Sequence, residues 1–292
     1  MRKAFPILVI LICLSGVPGA AFGQRNSSHP AATMSPEARA LLEEAMAVVC
    51  TQAKLDPKSS VAIDEMQARP SLPVAHPEAL AGAQRAQRLL PVAKELVVAS
   101  LQQLVADYGL QKSARFERRV QQAIKRVNAV KRVRPDMESR DNASVYLSRP
   151  QVITFGTIFL AGLRSDEGMI SVISHELMHI ADGENDSLRV LVNAVGKKAS
   201  ELTGLDVQGQ RGEEITCDLV GAMAVRAYVA STPGYESIAR RLARSVQHNC
   251  VEIDEGDEDH LSPRNTVRAL FSLHPVMVRE LINDREERAQ PR

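Results

Sequence analysis

His175-Glu176-Leu177-Met178-His179 sets two imidazoles and a carboxylate in the spacing HExxH, inside an apolar run that reads as a helix. A helix advances 3.6 residues per turn, so His175 and His179 stack one turn apart on one face. At that spacing both rings can reach a single zinc ion, leaving room for a third protein ligand and a water. Glu176 projects beside them, where its carboxylate can take a proton from that water. The chemistry this pattern suits is metal-assisted hydrolysis, with one Zn2+ per chain and Glu176 as general base.

A third ligand has to come from elsewhere in the chain. The metzincin arrangement asks for Gly and then His at positions held here by Asp182 and Asn185, so it does not apply. The thermolysin-like arrangement asks for a downstream Glu with an acid four residues later. Glu201 meets Leu205 at that distance, with Asp206 one step off. Glu214 and Asp218 fit better, four residues apart on one face of a second helix. One carboxylate can bind the ion while the other takes the outer N–H of a ligating His and fixes the ring. Glu213, at the start of that helix, reads as a solvated acid.

The elements that must position these groups follow from the flanking residues. Ser165 reads as the cap of the HExxH helix, with Asp166 and Glu167 in its first turn and Gly183 at its stop. Residues 144–147 and 152–155 are β-branched and aromatic, and Ser148-Arg149-Pro150 separates them, which predicts two short strands paired as a hairpin. Upstream, a helix is expected from Pro36 to about Leu55, a Pro-rich break from Arg69 to Pro77, and a long helix over 78–108. A basic amphipathic helix follows over 114–133, with Val120, Ile124, Val127 and Val130 opposite its Arg and Lys residues. That charge run reads as a solvated face. The expected fold class is α+β, mainly α-helical, with a small β-sheet beside an active-site helix.

Composition narrows the setting. The chain has 292 residues, 45% of them apolar, enough for one large domain or two small ones. Only 3% are aromatic and none is Trp, and the formal charge is +1, so nucleic acid is not an expected partner. Arg2 and Lys3 precede an apolar run from Ala4 to Leu14, and small residues follow up to Gly23, the layout of a secretory signal peptide. The run is shorter than the roughly 20 residues needed to cross a bilayer. Cleavage after Gly23 leaves 34 of the 36 basic residues against 35 acids. An uncleaved N-terminal anchor or a secreted product is the alternative to a periplasmic location. Cys13 lacks the neighbour a lipoprotein site needs, and no later segment is expected to cross a membrane.

Export places Cys50, Cys217 and Cys250 in an oxidising compartment, where an odd number leaves one thiol free or paired between chains. A Cys50–Cys250 bridge is one option among several. The expected organisation is a signal peptide at 1–23, a flexible linker at 24–36, an N-terminal helical segment at 37–85, a metallopeptidase domain at 86–285 and a tail at 286–292.

Taken in order, these pieces resemble the HtpX/BepA-type zinc metallopeptidases, whose relatives include the CAAX prenyl proteases. Asn142-Ala143 precedes the strand pair, and Ile153-Thr154-Phe155-Gly156 resembles the segment before the family's active-site helix. Ser165-Asp166-Glu167 leads into the HExxH stretch. Glu214-x-x-Cys217-Asp218-x-x-Gly221 matches ExxAD-x-x-G with Cys for Ala, and Leu273-His274-Pro275 with Arg279 resembles the closing HP-xxx-R element. The resemblance spans about residues 90–285. It implies a gluzincin-like endopeptidase fold, with zinc on His175, His179 and Glu214, Glu176 as base and Asp218 orienting a ligand His. It also implies an edge strand that receives the substrate as an added strand. No tetratricopeptide pattern follows the catalytic part.

An oxyanion donor is also needed, and His274 and Arg279 are candidates, with helix capping or packing as the alternative for both. Residues 252–259 form an acidic loop flanked by His248 and His260. Either His could gate the site by occupying the ion's open position; a solvated loop is the alternative. Cys217 reads as a small core residue or a redox-sensitive neighbour, and His29 and His76 as loop residues. The expected function is an exported zinc-dependent endopeptidase acting on unfolded or misassembled envelope proteins. The alternatives are a chaperone-like scaffold that keeps the fold but cleaves little, and a metal-binding module with other chemistry.

Overall fold

The computed structural model describes residues 35–55, 70–163, 165–232 and 256–280. The expected signal peptide, His29, His248, Cys250, the Cys50 side chain, most of the linker and the tail lie outside the described residues. Helices α1 (Pro36–Leu55) and α2 (Pro77–Asp107) come first, then a short turn at Leu110–Lys112 and α3 (Ala114–Ala129). Strands β1 (Arg132–Asp136), β2 (Ala143–Val145) and β3 (Val152–Gly156) follow. The rest is helical: α4 (Thr157–Gly162), α5 (Asp166–Asp182), α6 (Arg189–Thr203), α7 (Gln210–Ser231) and α8 (Pro263–Leu273), with a further helical turn at 275–280. The chain is therefore mainly α-helical with one small sheet.

Helix α5 forms the centre. From Gly168 to Asp182 every residue is buried except His179, which is partly so. A helix apolar on nearly all sides needs neighbours on all sides, and α2, α3, α7 and β2 supply them. Ser165 starts it, its Oγ accepting from the Gly168 N–H at 3.2 Å. Gly221 lets α7 come close, since a Cβ there would sit 3.2 Å from the Ser171 carbonyl oxygen on α5.

Helix α2 begins at His76, whose Nδ1 accepts from the Glu78 N–H at 3.3 Å, so this His is a helix cap and not a free loop residue. The expected boundary between residues 85 and 86 falls inside α2. By length and composition α2 is also the kind of helix that could cross a membrane, contrary to the expectation that no later segment would. Its apolar side, including Ala86, Leu90, Val97 and Leu101, is buried, and the helix packs against α5 and α4. A core helix passes the same test.

The sheet has three strands in the order β1-β3-β2, one more than the expected hairpin. β2 and β3 do pair antiparallel, Val145 opposite Ile153. The additional strand, β1, pairs parallel with β3 and takes residues assigned from sequence to the end of the basic helix. That helix stops at Ala129 because Val130 turns extended and Gln87 on α2 captures the next residues. The Gln87 Nε2 donates to the Lys131 carbonyl at 3.2 Å, and its Oε1 accepts from the Val133 N–H at 3.0 Å. Pro135 is tolerated since β1 is an edge strand with one neighbour.

Candidate metal centre

Helices α5 and α7 pack face to face and bring His175, His179, Glu213, Glu214, Cys217 and Asp218 together. The His175 and His179 rings meet edge to face, their centroids 4.9 Å apart, and their Nε2 atoms lie 3.1 Å apart. Glu214 Oε2 lies 3.3 Å from the first Nε2 and 3.6 Å from the second. Its other oxygen accepts from Gln210 Nε2 at 3.1 Å, which orients the carboxylate.

The outer nitrogens of both rings are also engaged. His175 Nδ1 lies 2.8 Å from Asp218 Oδ1, and His179 Nδ1 lies 2.9 Å from Glu213 Oε1. With Nδ1–H donating to a carboxylate, each Nε2 lone pair is free to face the other and Glu214. Glu213 thus orients a ring, where the sequence reading left it as a solvated acid. Its i,i+4 relation to Cys217, parallel to that of Glu214 with Asp218, is the signal that could have found it.

Cys217 is buried with a free thiol, and its Sγ stands 3.6 Å from His179 Nδ1. Burial pushes that thiol well above its ordinary pKa. His175, His179 and Cys217 form a buried cluster that could hold a metal ion. The Cys sulfur approaches the outer edge of the His179 ring, whereas Glu214 approaches the inner edge that both rings share.

Charge in the site favours a cation. Burial alone would lower the pKa of His175, but Asp218 and Glu214 outweigh it and raise it to about 9. Burial likewise works against ionised Glu214, and the two imidazoles hold it well below the ordinary carboxylate range. Glu176 is 1% exposed, and its Oε1 has no hydrogen-bond partner. Burial lifts its pKa to about 6. A buried acid left unpaired costs stability, and such groups concentrate at functional sites.

The far end of α5 is held by a residue that sequence reading placed on a solvated face. Arg126 on α3 donates to the carbonyls of Ile180, Ala181 and Asp182 at the helix terminus. Asp182 Oδ1 accepts from the Leu188 N–H and so folds the following turn back. His179 sits one turn before these anchors.

His260 reaches the cluster from the C-terminal part, with Nε2 3.7 Å from Glu214 Oε2 and Nδ1 3.2 Å from Asp257 Oδ1. The same Asp257 oxygen accepts from the backbone N–H groups of Asp259 and His260, and Arg211 of α7 donates to the Asp257 carbonyl. The described part of the acidic loop, residues 256–259, is thus tied to α7 with His260 turned inward, while residues 252–255 lie outside the described residues. His274 and Arg279 are not brought into contact with the cluster. Both line a cavity of about 700 Å3 with Leu42, Leu104, Leu219 and Phe271. His274 Nδ1 is buried without a partner, and burial, followed by Arg226, keeps its pKa low. The pair lines this cavity, and His274 stands at the C-cap of α8, the capping alternative expected for it. Glu201, the weaker third-ligand candidate, lies on α6, 3.8 Å from Lys197 Nζ. No protein-family model, no curated protein and no solved structure matches this chain.

Proposed function

We propose that this chain is an exported zinc-dependent endopeptidase on a gluzincin-like fold, with His175, His179 and Glu214 as ligands. The observation that carries the reading is the triangle of donor atoms, with sides of 3.1, 3.3 and 3.6 Å. Zinc bound at about 2.0–2.1 Å in tetrahedral geometry separates its ligands by about 3.3 Å. The donor set of two imidazoles and a carboxylate is that of hydrolytic rather than structural zinc. Zinc held there supplies Lewis acidity toward a carbonyl oxygen and lowers the pKa of a water. Glu176 accepts the proton at its unpartnered Oε1 and passes it to the leaving amine. Asp218 and Glu213 keep the two rings in one tautomer and direction. Polypeptide substrates, and unfolded or misassembled envelope proteins among them, follow from the sequence resemblance. His260, held by Asp257 beside Glu214, is the group a gate would use: His260→Ala then raises the basal rate, and an unchanged rate removes the gate.

One observation favours a second reading, a His2Cys metal-binding module, because Cys217 lies beside His179. Elemental analysis separates the two. About one zinc per chain that survives Cys217→Ala and is lost in Glu214→Ala supports the hydrolase. The opposite pattern assigns the metal to Cys217. No zinc after reconstitution removes both. Cleavage of an unfolded polypeptide such as casein by the zinc-loaded protein, abolished in Glu176→Gln, then tests the reaction.

A further inference from the structure

Charge is distributed unevenly along this chain. Between Lys112 and Arg134 there are nine Lys and Arg residues and one acid, Glu117. This segment carries a net +8 in a chain of net +1, so the remainder carries −7. One of the nine, Arg126, turns inward to the end of α5. Arg115, Arg118, Lys125, Lys131, Arg132 and Arg134 are exposed, and none has a side-chain hydrogen bond or ion pair among the described residues. On α3, Arg115, Arg118 and Lys125 fall within about a quarter of the helix circumference. On β1, Val133 is buried between Arg132 and Arg134, so strand alternation turns both guanidinium groups outward.

We infer that the basic α3–β1 segment docks the protein on a bilayer surface rich in anionic lipid. Six unpaired cations, with Glu117 the single acid of their segment and engaged by Gln121, repel one another and stay solvated unless a negative surface meets them. Their complement is a diffuse anionic plane. The other exposed residues on the outer side of α3 are Ala114, Gln121, Gln122, Asn128 and Ala129, with no aromatic ring to stack on a base. Nor is there an apolar anchor among them of the kind that centres a protein–protein interface. A lipid surface requires neither, because each Lys or Arg near it adds attraction by charge alone. The inference is independent of the metal site.

The test is partition of the full-length chain onto vesicles of phosphatidylcholine alone and of phosphatidylcholine with 30% phosphatidylglycerol. The apolar segment from Ala4 to Leu14 acts on both vesicle types, so the readout is the ratio between them. A strong preference for the anionic vesicles at 50 mM salt, falling steeply by 500 mM, is expected. The variant R115Q/R118Q/K125Q/R132Q should lower that ratio by at least about 100-fold. These side chains are exposed and unpaired, so folding should be kept, which circular dichroism checks. Replacing the three arginines with lysine should preserve the ratio, since a bilayer reads charge and not guanidinium geometry. Equal partition onto both vesicle types overturns the inference, as does a preference that survives the quadruple variant. Binding that appears only with an acidic polypeptide or a duplex oligonucleotide also overturns it and assigns the segment to that polyanion.

Discussion

At the residue scale, the site is defined by which polar groups are paired and which are not. Four carboxylates surround two imidazoles. Glu213 and Asp218 each hold a ring at its Nδ1, Glu214 lies between the two Nε2 atoms, and Glu176 Oε1 is left without a partner. Replacing Glu176 with Gln keeps shape and burial while removing a carboxylate that burial disfavours. The variant should bind zinc as the wild type does, melt no lower, and lose about 10²–10⁴-fold in turnover. A variant that cleaves at the wild-type rate would exclude Glu176 as the base. Asp218→Asn keeps an acceptor for His175 Nδ1 but removes the charge behind it. Zinc affinity in a competition titration should fall about 10–100-fold, the range for groups that orient a metal-ligating His.

At the element scale, α5 is positioned by its ends. Its first turn is capped by Ser165, and Arg85 of α2 pairs with Asp166 at 3.4 Å and donates to the Leu163 carbonyl at 2.7 Å. Its last turn depends on Arg126, which satisfies carbonyls that an α-helix leaves open at its terminus. Arg126→Met should cost about 1–3 kcal/mol in urea denaturation. It should also weaken zinc binding, because His179 is in the turn that loosens. A stability unchanged within error would show that water replaces the guanidinium without loss. Asp182 adds a pH dependence. Burial raises its pKa from 3.8 to about 6 in the folded protein. The folded state then holds a proton that the unfolded state has released between about pH 4 and 6. Its contribution to stability is fully present below about pH 4 and is lost as pH rises through about 6. Asp182→Asn keeps the acceptor for Leu188 and should remove that fall, so wild-type and variant stabilities should diverge in the variant's favour between pH 4 and 6. Parallel curves would assign the slope to other groups.

At the scale of the whole molecule, ligands from α5 and α7 mean that a bound ion fastens two packed helices of the core. An ion held only by the folded state adds RT ln(1 + [L]/Kd), about 2.7 kcal/mol when free metal is 100 times Kd. Removing it with a chelator should lower the melting temperature by several degrees, and zinc should restore it. A melting temperature indifferent to chelator and zinc would show that no ion links the helices. The same scale carries the charge asymmetry. A basic α3–β1 segment on a molecule otherwise net negative gives it an electrostatic orientation toward an anionic plane, with α5 directly beneath α3.

The HExxH spacing, the Ser165 cap, the strand pair and the Glu214–Asp218 pair were legible because each rests on residues close together in sequence, where helix and strand periodicity is set by the backbone. What the sequence could not determine depends on contacts between distant segments. β1 is a strand because Gln87, 46 positions from Val133, captures its first residues. Arg126 leaves the solvated face of a basic helix because the end of α5, 54 to 56 positions away, offers open carbonyls. Glu213 orients a ring and His260 turns inward because α7 and its attached loop meet α5 in three dimensions. His274 and Arg279 sit in a separate cavity for the same reason. Local spacing decides which groups can act, and tertiary packing decides which of them meet.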